Sequence, residues 1–348
     1  MWLFIKKVIL YGMLFFGASM LVSTFIYGIE KDFFVQYEDE RVVDKFLYVN
    51  ETVGSFNTAF FGSSSIARHV IPELFDTTVG GDVRSFNMGV DGLKDYRMLD
   101  LVRKTTSEHP ELKNVFIELR IPERDKRLNF KNNAVLYAAR WDRLDSIIDY
   151  IDNSDLDGTK RRAEYVRLVR ELLYKYSGIG VSKYAQLLLG IAPPANSLSS
   201  SDFEKFSETK GLAVLPESWP SRTDFLEGLA AGRDPLTYYK KEYRYAEGAI
   251  ERPADDAYAK EIFELGQSLR EEGRNVYFIL SLHPEDIEYL FNVAVLLHQD
   301  NFIVFNMADP DMFPEFYELD YQFDWGHLNY EGAKLYTKYL GKLYLEVN

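Results

Sequence analysis

Short apolar runs recur along this chain, and stretches with helical spacing separate them. Asn57 to Phe61, Val83 to Met88 and Val115 to Leu119 read as strands in the first third, and Asn275 to Ser281 and Phe302 to Met307 in the last quarter. Their β-branched and aromatic content, with Gly62, Pro122 and Pro284 close behind, fits that reading. Ser65 to Phe75, with Pro72 near its close, Asp95 to Thr106, Glu285 to His298 and Gly332 to Leu345 carry the helical period instead. Strands that are apolar on both faces and alternate with helices predict a mostly parallel sheet covered on each side, an α/β fold in three α/β/α layers. Ligands of such sheets sit beyond the carboxyl ends of the strands.

The alternation stops between residues 126 and 265. Asn133 to Tyr150 and Lys160 to Tyr176 have helical spacing, whereas Pro193-Pro194, Ser199-Ser200-Ser201, Pro216, Trp219 and Pro220 mark a loop-like stretch. We read a mostly helical insertion, a lid or a docking surface. Its basic run, Lys160, Arg161, Arg162, Arg167 and Arg170, either faces lipid headgroups or an anionic polymer, or is the wet face of a helix. Tyr238, Tyr239, Tyr243 and Tyr245, with Trp219, either offer rings to stack on sugars or pack inward at helical spacing. Both alternatives stand at this level.

At the N-terminus, Lys6-Lys7 precede an uncharged run from Val8 to Tyr27, closed by Glu30, Lys31 and Asp32. A helix crossing a hydrocarbon core of about 30 Å needs ~20 residues, and the run supplies them. The lysines orient it with the N-terminus inside, so the residues after Asp32 lie outside. A cleaved signal peptide is the competing reading, and its apolar region is usually shorter, about 7–15 residues. The expected organisation is an anchor over 1–32, a short helix or stalk over 33–50, and a folded body over 51–348 that carries the insertion.

Composition narrows the chemistry. The 348 residues include no cysteine, which excludes disulfides, a thiol nucleophile and cysteine-ligated metal. A formal net charge of -14 argues against nucleic acid as a partner. The five histidines are scattered, His-Glu-x-x-His is absent, and Gly62 is followed by serines rather than a Gly-Lys-Ser/Thr ending. Neither a metal nor another cofactor is expected.

Two segments carry candidate chemistry. Phe61-Gly62-Ser63-Ser64-Ser65 ends the first strand, and Asp324-Trp325-Gly326-His327-Leu328-Asn329 lies near the other end. Alone, the serines are helix caps and Asp-x-x-His is an ordinary surface turn. Together they supply a nucleophile, a base and an orienting carboxylate. A serine hydroxyl needs an adjacent base near neutral pH. Imidazole suits that task, and a carboxylate on its other nitrogen fixes the tautomer. Three-residue spacing on one helical turn would set Asp324 and His327 on one face, with His327 reaching back to Ser64.

These segments resemble the motif blocks of the SGNH (GDSL-type) hydrolase superfamily, including its membrane-anchored branches that move acyl groups on cell-surface polymers. The first block, Gly-Asp-Ser after the first strand, corresponds to Gly62-Ser63-Ser64, with Ser63 in place of the Asp. Asn87-Met88-Gly89-Val90-Asp91-Gly92 matches the Asn-x-x-x-x-Gly of the second, and Asp324 with His327 matches the last. The resemblance covers roughly residues 55–125 and 275–345. It implies a flavodoxin-like sheet, Ser64 as nucleophile, Asp324 and His327 as its partners, and an oxyanion hole from the N–H groups of Ser64 and Gly92. The third block departs. Where Gly-x-Asn-Asp would follow a strand, the chain has Val115-Phe116-Ile117-Glu118-Leu119-Arg120-Ile121-Pro122, so the side-chain amide donor is missing. Such a loss typically costs about 100- to 1000-fold in rate. Arg120, and second to it Arg68, is a candidate substitute; each is otherwise an ordinary charged residue. His69 and Asp91 sit beside matched blocks without a role, and His283 either lines the cleft or is structural.

The resemblance implies an exported single-pass protein of the cell membrane, with its catalytic domain periplasmic or extracellular. It would transfer an acyl group, acetyl first among them, to a polysaccharide acceptor, beside a polytopic membrane-bound O-acyltransferase. The same triad with water as acceptor makes a carbohydrate esterase. A non-catalytic scaffold for polysaccharide assembly is the alternative from another class.

Overall fold

Five strands, β1 (Thr58–Phe61), β2 (Ser85–Asn87), β3 (Asn114–Glu118), β4 (Asn275–Leu280) and β5 (Ile303–Asn306), form one sheet in the order β2-β1-β3-β4-β5. Every pairing is parallel: Thr58 registers with Ser85 on one side and Asn114 on the other, Asn114 with Asn275, and Tyr277 with Ile303. The strand order turns back between β1 and β3, the position at which open parallel sheets hold their ligands. The computed structural model describes residues 40–93, 95–120, 157–176, 198–214, 216, 218–248, 257–282 and 287–348, with isolated positions in 6–21 and 144–152.

The helices are α1 (Glu40–Glu51), α2 (Ser64–His69), α3 (Pro72–Val79), α4 (Asp95–Glu108), α5 (Gly158–Tyr176), α6 (Ser200–Thr209), α7 (Pro220–Ala230), α8 (Pro235–Gly248), α9 (Ala257–Glu271), α10 (Ile287–His298) and α11 (Tyr330–Val347). On one face of the sheet, rings stack from strand to strand: Phe60 on Phe116 at 4.5 Å, Phe116 on Tyr277 at 4.8 Å, and Tyr277 on Phe305 at 5.7 Å. Phe75 of α3 and Tyr336, Leu340 and Tyr344 of α11 close over that ladder. On the other face α9 lies close, and a Cβ on Gly266 would come within 2.9 Å of Phe302 and 3.1 Å of Phe278.

The stretch expected as one helix from Ser65 to Phe75 is two. Ile71 is extended at φ -97° and ψ 102°, because the residue before a proline is pushed out of the helical region, and Pro72 opens α3 instead of closing α2. The serine run read as a loop starts a helix: Ser199 accepts the N–H of Asp202 at 3.1 Å and caps α6.

Two compact units divide the chain: Met1–Val43 with Arg124–Ser197, and Asp44–Glu123 with Leu198–Asn348. The second half of the expected insertion therefore belongs with the sheet. In the first unit, Leu168 and Leu172 of α5 pack with Ile151. Exposed Lys160 pairs with Asp157, and half-buried Arg167 with Glu164. Among the described residues no helix is long and apolar enough to cross a membrane. Much of the run over 8–27, residues 33–39 of the expected stalk, and most of the helix expected over 133–150 lie outside the described residues.

Candidate active site

The first turn of α2 stands directly on the end of β1. A Cβ on Gly62 would come within 2.3 Å of Ile66 Cγ1 and 2.5 Å of Glu118 Oε2, so a bare backbone is required there. The three serines divide the work. Ser63 is the N-cap, its side chain accepting from Ser65 N–H, and Ser63 and Ser65 are both buried. Ser64, the first helical residue, is half-buried. Its own N–H, at the first position of a helix, has no intrahelical acceptor.

His327 Nε2 lies 2.9 Å from Ser64 Oγ, and His327 Nδ1 lies 2.8 Å from Asp324 Oδ1. Burial works against charge on Asp324, but the hydrogen bond and charge of His327, the Ser221 hydroxyl and the Gly326 N–H outweigh it and hold the carboxyl well below the usual carboxylate range. An ionised acceptor at Nδ1 puts the ring proton there and leaves the Nε2 lone pair to accept the Ser64 proton.

The Asp-x-x-His segment is not helical. Gln322 and Leu328 form an antiparallel bridge, and the carbonyl of His327 accepts the N–H groups of Phe323 at 2.8 Å and Asp324 at 3.2 Å. Asp324 Oδ1 also accepts Gly326 N–H at 2.8 Å, closing an Asx turn that brings His327 back beside its partner. The expected pairing of the two side chains holds, by a tight hairpin-like turn in place of a helical one. His69, buried behind, accepts Leu328 N–H on Nε2 at 3.0 Å and steadies the end of that turn.

The second-block residues form the neighbouring wall. Asn87 donates to the carbonyls of Ile66 at 2.7 Å and Val70 at 2.8 Å and accepts Gly89 N–H at 2.9 Å, tying the end of β2 to α2. Val90 N–H donates to Gly62 O at 2.9 Å, and two residues on, exposed Gly92 takes φ +73°, the left-handed region that favours glycine. Arg68, the second candidate donor, is engaged with Asp91 at 2.6 Å. Lys45 of α1 buries its ammonium among three carbonyls, Asn87 at 2.8 Å, Gly89 at 2.6 Å and Gly211 at 2.6 Å.

At the third block stands Glu118, fully buried. It accepts Ser63 N–H at 2.5 Å and the Ser281 hydroxyl, so the position nearest the nucleophile turn holds an acceptor rather than the missing donor. Arg120 is buried beside it, Nη1 lying 3.6 Å from Glu118 Oε1.

Sequence reasoning missed four groups: Glu118, Ser281, Lys45, and the α7–α8 side chains on the Asp324–His327 turn. Ser221 donates to Asp324 Oδ2, Arg222 to the carbonyls of Gln322 at 3.0 Å and Phe323 at 2.8 Å, and Tyr239 to the carbonyl of Trp325. Tyr243 packs inward, buried edge-on against Phe291 at 5.3 Å. The side chains of Tyr238 and Tyr245, and all of His283, lie outside the described residues. Among the described residues no group of three or more His, Asp or Glu side chains is placed to hold a metal ion. No protein-family model matches the chain, and no curated protein or solved structure matches it significantly.

Proposed function

We propose that this protein is a membrane-anchored serine acyltransferase of the SGNH type, which O-acylates an exported or cell-surface polysaccharide with an acyl, first of all acetyl, group. One observation carries the reading: the unbroken line from half-buried Ser64 Oγ through His327 to ionised Asp324, at 2.9 and 2.8 Å. Ser64 Oγ attacks the acyl carbonyl carbon while His327 Nε2 takes its proton. The oxyanion is received by the N–H groups of Ser64 and Gly92, with Arg120, buried beside Glu118, as the cation to reinforce them. The carbon–leaving-group bond then breaks, the leaving group takes the proton from His327, and the acyl group stays as an ester on Ser64. A sugar hydroxyl next gives its proton to His327 and attacks that ester, and Ser64 regains its proton as it departs. Asp324 balances the imidazolium charge at both stages.

The anchored arrangement is supported by the run from Val8 to Tyr27 and by the described part of it, where Leu10, Met13, Leu14, Phe15 and Leu21 are exposed. A polytopic membrane-bound O-acyltransferase as acyl supplier fits that placement. Water in place of the sugar makes the same site an esterase.

The test is labelling of the full-length protein with an alkyl fluorophosphonate, mapped by mass spectrometry, followed by incubation with an acetyl ester and an oligosaccharide. Labelling at Ser64 that vanishes in Ser64→Ala and His327→Ala is expected, with transfer to sugar outrunning hydrolysis. Failure to label sinks the enzymatic reading. Hydrolysis without transfer makes the protein an esterase.

A further inference from the structure

We propose that Ser221 is a positioning residue for the base, a fourth member of the chain that fixes the Asp324 carboxylate and through it the His327 ring. The inference rests on the acyl-transfer reading above. Asp324 is 4 % exposed, so both of its oxygens need protein donors. Oδ1 takes His327 Nδ1–H and Gly326 N–H, each at 2.8 Å, from its own turn. Oδ2 takes the hydroxyl of Ser221, more than a hundred residues away in sequence.

Ser221 is the second residue of α7, after Trp219, which makes no side-chain cap, and Pro220. A carboxylate bonded to the first turn of a helix also lies at the positive end of its dipole. The next residue sets the register: Arg222 donates to the carbonyls of Gln322 and Phe323 at 3.0 and 2.8 Å, so the helix start and the turn are fastened at both backbone and side chain. Packing locks the same join, since Phe225 meets Trp325 edge-on at 4.9 Å and a Cβ on Gly228 would come within 2.6 Å of Trp325 Cζ2. The terminal torsion of an aspartate is broad. Held at one oxygen only, the carboxylate rotates, and the imidazole loses the alignment that aims Nε2 at Ser64.

The test is fluorophosphonate labelling of Ser64 in the detergent-solubilised full-length chain, run against reagent concentration to separate the maximal inactivation rate from the reagent affinity. Wild type is compared with Ser221→Ala, and Ser221→Thr with Ser221→Val, a pair of one shape in which only the hydroxyl differs. The low-field Nδ1 proton resonance of His327 and the thermal midpoint are recorded for each. Loss of the hydroxyl is expected to lower the maximal rate about 10-fold with affinity unchanged. It should also shift the low-field proton upfield, while Thr restores both and Val does not. Equal rates and equal resonances for Thr and Val overturn the inference, whatever happens to the midpoint. If wild type is not labelled, the acyl-transfer reading falls, and the low-field proton alone decides the role of Ser221: present in wild type and Thr but lost in Val upholds it, unchanged in all overturns it.

Discussion

The two turns that meet at the candidate site are held by different parts of the molecule. The Gly62–Ser65 turn is fastened from within the sheet, by Glu118 at the end of β3 and by Val90 behind β2. The Asp324–His327 turn is fastened from the insertion, by Ser221, Arg222 and Tyr239 of α7 and α8. The candidate nucleophile thus inherits the rigidity of a parallel sheet, whereas the candidate base depends chiefly on two helices that the strand–helix alternation does not require, with His69 of α2 steadying the far end of its turn. Damage to the first turn should appear chiefly as lost stability, and damage to the second chiefly as lost reactivity.

The sharpest way to break that contrast is Asp324→Asn. It keeps the shape of the side chain but sets an amide against Nδ1, so labelling of Ser64 should fall by about 1,000- to 10,000-fold, far more than the accompanying loss of stability accounts for. Glu118→Ala should do the reverse. It leaves Ser63 N–H and the Ser281 hydroxyl buried without their acceptor. At about 1–3 kcal/mol for each such group, urea denaturation should show a loss of roughly 2–6 kcal/mol. Lys45→Met withdraws the ammonium from three carbonyls and should cost about 1–3 kcal/mol in the same measurement. A loss of stability without a change in labelling rate would place Lys45 on the sheet's side of the contrast.

The smallest effect lies on the acid limb. The folded pKa of Asp324 is depressed, so its charge stabilises the native state above the unfolded value of about 3.9, and the contribution fades as pH falls below that toward the folded value. The stability gap between wild type and Asp324→Asn, followed by urea melts from about pH 6 downward, should therefore narrow below about pH 4. A gap that stays constant would mean the carboxylate gains nothing from its partners.

All five strands lie where apolar runs with bordering turn residues place them, because β1 to β4 are buried on both faces and have almost no polar period to blur, and even the half-buried edge strand β5 keeps an apolar run. The three side chains of the site were legible by type and spacing. The form of the second turn was not, since Asp-x-x-His fits a helical turn and an Asx turn equally until the bridge from Gln322 to Leu328 is seen. Glu118 did leave a trace: an acid at the close of an otherwise apolar strand must find donors. Ser221 left none, because a serine beside a proline in an irregular stretch announces nothing about a carboxylate more than a hundred residues away. Its role comes from tertiary approach alone.

Ser64 and His327 stand 263 residues apart along the chain, and β3 must find β4 across the whole insertion before the imidazole has anywhere to dock. Reactivity is therefore a late event in the maturation of this molecule. A half-assembled body would carry a serine no more reactive toward nearby esters than any other surface hydroxyl.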